Sequence, residues 1–81
     1  MDRHVIAATL VAMATRRRAK ADDLLALAHD AVAAAHATAD PKAGAALRAS
    51  AAGLYGASVT LRLHGWVEEA LAEFCYAKDG S

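Results

Sequence analysis

The sequence predicts an all-α protein, a small bundle of three to four antiparallel helices that closes with a C-terminal helical hairpin. Three observations predict it. Apolar residues recur at spacings of three and four, the period that lines up one face of a helix, from Ile6 through Phe74. No segment alternates apolar and polar residues as a half-buried strand does, and no β-hairpin pattern occurs. Alanine, the strongest helix former, supplies 24 of the 81 residues.

Taken in order, a first helix is expected from Arg3 to about Arg18, with Ile6, Leu10 and Met13 on one face. The run Arg16-Arg17-Arg18-Ala19-Lys20 then interrupts the apolar pattern. Because Arg, Ala and Lys all favour helix and no Gly or Pro intervenes, the chain can either turn here or run on. A second helix is expected from Asp22 to about Ala37, carrying Leu24, Leu27, Ala28, Ala31, Val32 and Ala35 on one stripe. Asp22 and Asp23 stand at its start, where carboxylates meet the positive end of the helix dipole. Thr38-Ala39-Asp40-Pro41 is the clearest boundary, since Asp40 suits an N-cap and Pro41 the first helical position.

The third helix, Pro41 to about Leu63, has the cleanest repeat: Gly44, Leu47, Ala51, Leu54, Ser58 and Leu61 form a seam for a partner helix, and an unusually small one. Beside it runs a second row of small residues, Ala45, Ala49, Ala52, Gly53 and Gly56. A helical Gly costs about 0.5–1 kcal/mol relative to Ala, so the glycines imply close approach of another backbone. His64-Gly65 is expected to end this helix, Gly supplying the left-handed closing residue. A fourth helix follows from Trp66 to about Ala77, with Trp66, Val67, Ala70, Leu71 and Phe74 inward and Glu68, Glu69 and Glu73 outward. Asp79-Gly80-Ser81 is expected to fray.

The chain is one domain, 1–81, near the lower end of the size range that folds without staples. Its hydrophobic fraction of 57% is largely alanine, so the core expected from Ile6, Leu10, Met13, Leu24, Leu25, Leu27, Val32, Leu47, Leu54, Val59, Leu61, Leu63, Trp66, Val67, Leu71 and Phe74 is thin, and oligomerisation is a natural supplement. Nine Lys and Arg balance nine Asp and Glu, which leaves no global field to recruit nucleic acid or an anionic membrane. The single cysteine, Cys75, excludes an intrachain disulfide and fits the cytoplasm. Val5 to Ala14 is too short to span a bilayer and wrongly flanked for a secretory signal.

Along the last third of the chain, Leu54, Ser58 and Leu61 are followed by Gly65, then by Ala70, Phe74 and Ala77, with Glu68-Glu69-Ala70-Leu71 opening the second group. This large–small–large, Gly, Ala–aromatic–Ala order resembles a single degenerate unit of the tetratricopeptide family. The resemblance implies a helical hairpin over Leu54 to Ala77 and a groove that binds a peptide or partner helix without catalysis. The stretch Ala45-Ala46-Leu47-Arg48 through Ala57 also resembles a histidine phosphotransfer domain, but Ala46 stands where that family needs its histidine.

No catalytic order of Ser, His and Asp, phosphate loop or metalloprotease helix is present, and no enzyme activity, cofactor or metal is expected. His29 and His36 stand two turns apart, too far to share an ion unless assembly doubles them. Cys75 sits late in a helix, where the dipole disfavours a thiolate. Arg48, Tyr55 and Arg62 recur every seven residues as a basic and aromatic ridge of the kind found at binding hot spots. The expected function is therefore a self-associating protein–protein interaction module that engages a helix or peptide through Arg48, Tyr55, Arg62, Ala49, Gly53 and Gly56. The alternative is a small nucleic-acid-associated protein that uses Arg16, Arg17, Arg18 and Lys20, although Asp22 and Asp23 dilute that run.

Overall fold

In the computed structural model, which describes residues 2–79 and the side chains of 2–77, the chain is two long helices joined by a short loop. Helix α1 spans Arg3–Ala37 and α2 spans Pro41–Asp79. Gly80 and Ser81, expected to fray, lie outside the described residues. The hairpin measures 62 × 16 × 13 Å with a radius of gyration of 18.2 Å, against about 12 Å for a compact domain of this length. It is a rod, and the expected bundle of three to four helices is not formed.

Two anticipated breaks are absent, and each has a physical reason. The basic run does not turn: Arg16 to Lys20 continue α1, as their helix propensities allow, while Arg17 and Arg18 reach across to Glu68 and Glu69 of α2. Nor does α2 stop at Gly65. No glycine in the described residues has a positive φ, and Gly65 lies buried in mid-helix against α1. A Cβ built on it would stand 3.4 Å from the carbonyl oxygen of Ala14 and 3.8 Å from its Cα. The residue admits a close helix crossing and does not cap a helix end, so residues 54–77 are continuous helix with no C-terminal hairpin.

The core explains the rod. Ala7, Ala14, Ala21, Ala28 and Ala35 are buried at every seventh position of α1, and Gly44, Ala51, Ser58, Gly65 and Ala72 are buried at every seventh position of α2. The two rows meet in antiparallel register. Gly65 lies on Ala14, the Ser58 hydroxyl donates to the Ala21 carbonyl at 3.0 Å, and Gly44 faces the Ala35 carbonyl. Sustained repeats of seven impose the gentle supercoil of a coiled coil, and the small side chains let the backbones draw close. Both rows run straight through the places where breaks were expected.

This phase reverses several expected burials. With no turn at Gly65, the positions facing α1 continue as 65, 68 and 72, so Glu68 is buried while Trp66 is 70% and Phe74 60% exposed. No large side chain anywhere in the described residues is fully buried. Of the other side chains anticipated as a core, Ile6, Leu10, Met13, Leu24, Leu25, Val32, Leu47, Leu54 and Leu61 are half-buried along the seam edge, whereas Leu27, Val59, Leu63, Val67 and Leu71 are half or more exposed.

The ends are locally specified. Asp2 caps α1, its carboxylate accepting from the His4 amide at 3.0 Å. At the loop, the Thr38 amide returns to the Ala34 carbonyl at 3.1 Å, and the Asp40 carboxylate accepts from the Lys42 amide at 3.0 Å. Pro41 occupies the first helical position, where its missing N–H leaves nothing unsatisfied.

Two substitutions test the close crossing. Gly65→Ala should be tolerated, because its methyl arrives at ordinary contact distance and the helix gains up to about 1 kcal/mol of propensity. Gly65→Leu should instead destabilise the hairpin by about 1–3 kcal/mol, read from urea denaturation followed by far-ultraviolet circular dichroism.

Candidate interaction surface

The two helices differ in what they turn away from each other. The outer side of α1 carries Arg16, Asp23 and Asp30 beside Val5, Ala12, Ala19, Ala26 and Ala33, all exposed, while Asp22 and His29 stand on its flank toward α2. The outer side of α2 carries Ala45, Ala49, Ala52, Gly53 and Gly56 along its first half, then Val59, Leu63, Trp66, Val67 and Ala70, again all exposed. Val59, Leu63 and Val67 are each more than half exposed, as is Trp66. Single exposed apolar residues are ordinary, but a contiguous helical stripe containing a tryptophan marks a surface that water does not cover well.

Ala49, Gly53 and Gly56, three of the residues expected to bind a partner, stand on this outer side. A Cβ placed on Gly53 or Gly56 would meet nothing within 4 Å, so the hairpin itself gives neither glycine a packing role. The other three, Arg48, Tyr55 and Arg62, lie on the flank of α2 next to α1. Arg62 donates to Asp22 at 2.5 Å, and the half-buried Tyr55 ring meets His29 edge-on with centroids 5.8 Å apart. The same flank continues through Glu69, paired with Arg18, to Tyr76, whose ring lies 5.6 Å from that of His4. Arg48 is exposed. The ridge is thus partly engaged within the chain, by partners on α1 that sequence spacing alone could not supply.

The basic run is divided in the same way. Arg17 and Arg18 face glutamates, while Arg16 and Lys20 are exposed beside a shallow hollow lined also by Met13 and Leu61. On a continuous helix the four side chains fan around the axis and do not present one track of cations. His29 meets Tyr55 of α2 and His36 is exposed two turns on, and among the described residues no three His, Cys, Asp or Glu side chains gather to hold a metal ion. Cys75 is half-buried and unbridged, near Arg3, Ile6 and Phe74.

One pair was not anticipated. Arg17 Nε approaches Glu68 Oε1 at 2.6 Å, with the glutamate side chain 10% and the arginine 34% exposed. Arg17 Nε and both Glu68 oxygens are closed off from solvent and make no hydrogen bond, so opposite charge holds the contact. The signal for it was the alternating spacing of three and four from Gly44, which, continued past Leu61, reaches Gly65 and then Glu68 on the same seam.

A seam ion pair of this kind is worth less than its loss. Glu68→Leu should destabilise the hairpin by about 3 kcal/mol by stranding Arg17, whereas Glu68→Leu combined with Arg17→Met should recover most or all of that. The double-mutant cycle is read by thermal unfolding. Ser58→Ala, which removes one buried hydroxyl but fits the seam, should cost only about 0.5–1.5 kcal/mol.

No helix of the described residues is long and apolar enough to cross a membrane. No protein-family model, curated protein or solved structure matches this chain.

Proposed function

We propose that this protein is a non-enzymatic helical interaction module that self-associates, offering the outer side of α2 to a partner helix. The observation that carries this proposal is the mismatch between what the hairpin buries and what it leaves out. Its seam is filled by Ala, Gly and Ser, and its widest apolar side chains remain in water. Its accessible surface is 5439 Å², where a compact monomer of 8.4 kDa exposes about 4600 Å². The surplus, about 800 Å², comes with the rod shape and is of the size that one partner hides in an interface of standard area.

Alanine burial also returns little hydrophobic free energy per residue, whereas covering Trp66, Leu63 and Val67, each still more than half exposed, would contribute about 1 kcal/mol or more for each side chain. The charges of α1, Arg16, Asp23 and Asp30 among them, would stay solvated in such an assembly. A reducing compartment such as the cytoplasm suits the unbridged Cys75.

Light scattering on a size-exclusion column at two concentrations tests the proposal. The wild-type chain is expected to elute as a dimer or larger species, and Trp66→Glu to elute as a monomer that keeps its helical circular dichroism. A wild-type monomer at both concentrations would remove self-association from consideration.

A further inference from the structure

The outer side of α2 is divided by size. Ala45, Ala49, Ala52, Gly53 and Gly56 make its first half a shallow trough, and Val59, Leu63, Trp66 and Val67 make its second half a ridge. The only formal charges on this side, among the described residues, are Lys42 at the trough end and Glu73 at the ridge end. Trough and ridge are each half of a match.

We infer that the occupant of this surface is a second copy of the same chain, with the two α2 helices antiparallel about a two-fold axis beside Val59 and Thr60. In that register Leu63 of each copy lies over Gly56 of the other, Trp66 over Gly53, Val67 over Ala52 and Ala70 over Ala49. All four pairs keep the same phase, because each joins outward positions of the seven-residue repeat.

Size and charge both select this arrangement. Gly53 and Gly56 weaken the helix they belong to and pack against nothing in their own chain, but they leave room for the indole and leucine side chains of the second copy. Antiparallel pairing also brings Lys42 of one copy to the Glu73 end of the other. A parallel pair would set Trp66 against Trp66, trough against trough, and like charges together at each end. Two-fold symmetry forms every contact twice, so even a short match is doubled. The overlap from residue 42 to residue 77 spans about 50 Å of helix, long enough to cover the surplus surface. This pairing rests on the proposal that the chain self-associates.

Thiol cross-linking tests the register. Ala49→Cys and Ala70→Cys are made separately in a Cys75→Ser background, refolded together, and treated with a short bismaleimide. The expected product is the mixed 49–70 dimer, with neither variant cross-linking to itself, since like positions would lie about 30 Å apart along the helices. Self-linked 49–49 or 70–70 dimers would show parallel pairing and overturn the inference. A dimer by light scattering that yields no cross-link would also overturn it while leaving self-association intact, and a wild-type monomer would overturn both. As an independent check, Gly53→Leu should weaken dimerisation about tenfold or more with an unchanged helical signal, because its side chain enters open space in the single hairpin. Undiminished dimerisation of Gly53→Leu would exclude the trough as the seat of Trp66.

Discussion

The structure depends on how closely two helix backbones can approach. Along the inner side, every seventh residue from Ala7 to Ala35 and from Gly44 to Ala72 is small enough to permit that approach, and nearly everything else follows from it. A seam filled by methyl groups and glycines cannot house leucines, so the large residues are displaced to its edges and to the outer side of α2. Close approach also favours length. Each layer contributes little by itself, and a row of five layers is needed to hold what one layer of leucines and phenylalanines could hold in a thicker core.

A uniform seam has a weakness, which is that every layer looks like the next. Sliding one helix by seven residues would again place small residue on small residue. Two features oppose the slip. The loop of Thr38 to Asp40 is too short and too fully hydrogen-bonded to absorb an extra two turns. Arg17 and Glu68 neutralise each other only in the native register, and any shift would bring a buried charge against an alkyl side chain. A buried polar group that fixes alignment is a well-attested use of such residues in coiled coils.

How much of this was legible in the sequence varies along the chain. The helix boundary at Ala37 and Pro41 was readable because capping is local: Asp40, Pro41 and the broken apolar pattern act within one turn. The seam residues of α2 were readable from their spacing. The number of helices was not, because Gly65 carries two meanings. Beside His64 it resembles a helix stop, and only the position of Ala14, some fifty residues earlier, turns it into a crossing point. The same ambiguity governed the arginine run, which interrupts the apolar stripe when read alone but preserves the seven-residue alanine row when read with α2. For the candidate surface, Ala49, Gly53 and Gly56 could be placed on one side from periodicity. The engagement of Tyr55 and Arg62 by His29 and Asp22 could not, since it needs the antiparallel partner in place.

The short loop also sets an order on how the hairpin comes together and apart. Residues adjoining it, Ala35 and Gly44, are close in sequence, so bringing them into contact closes only a small loop of chain. Each later layer then closes on the one before, in the manner of a zip, with Ala7 and Ala72 joining last. The open end is accordingly the end that breathes, and Arg17 with Glu68 forms a clasp partway along. A partner or a protease would meet two different parts of this one rod: a longer part beside the loop that closes first, and a shorter part beyond the clasp that closes last.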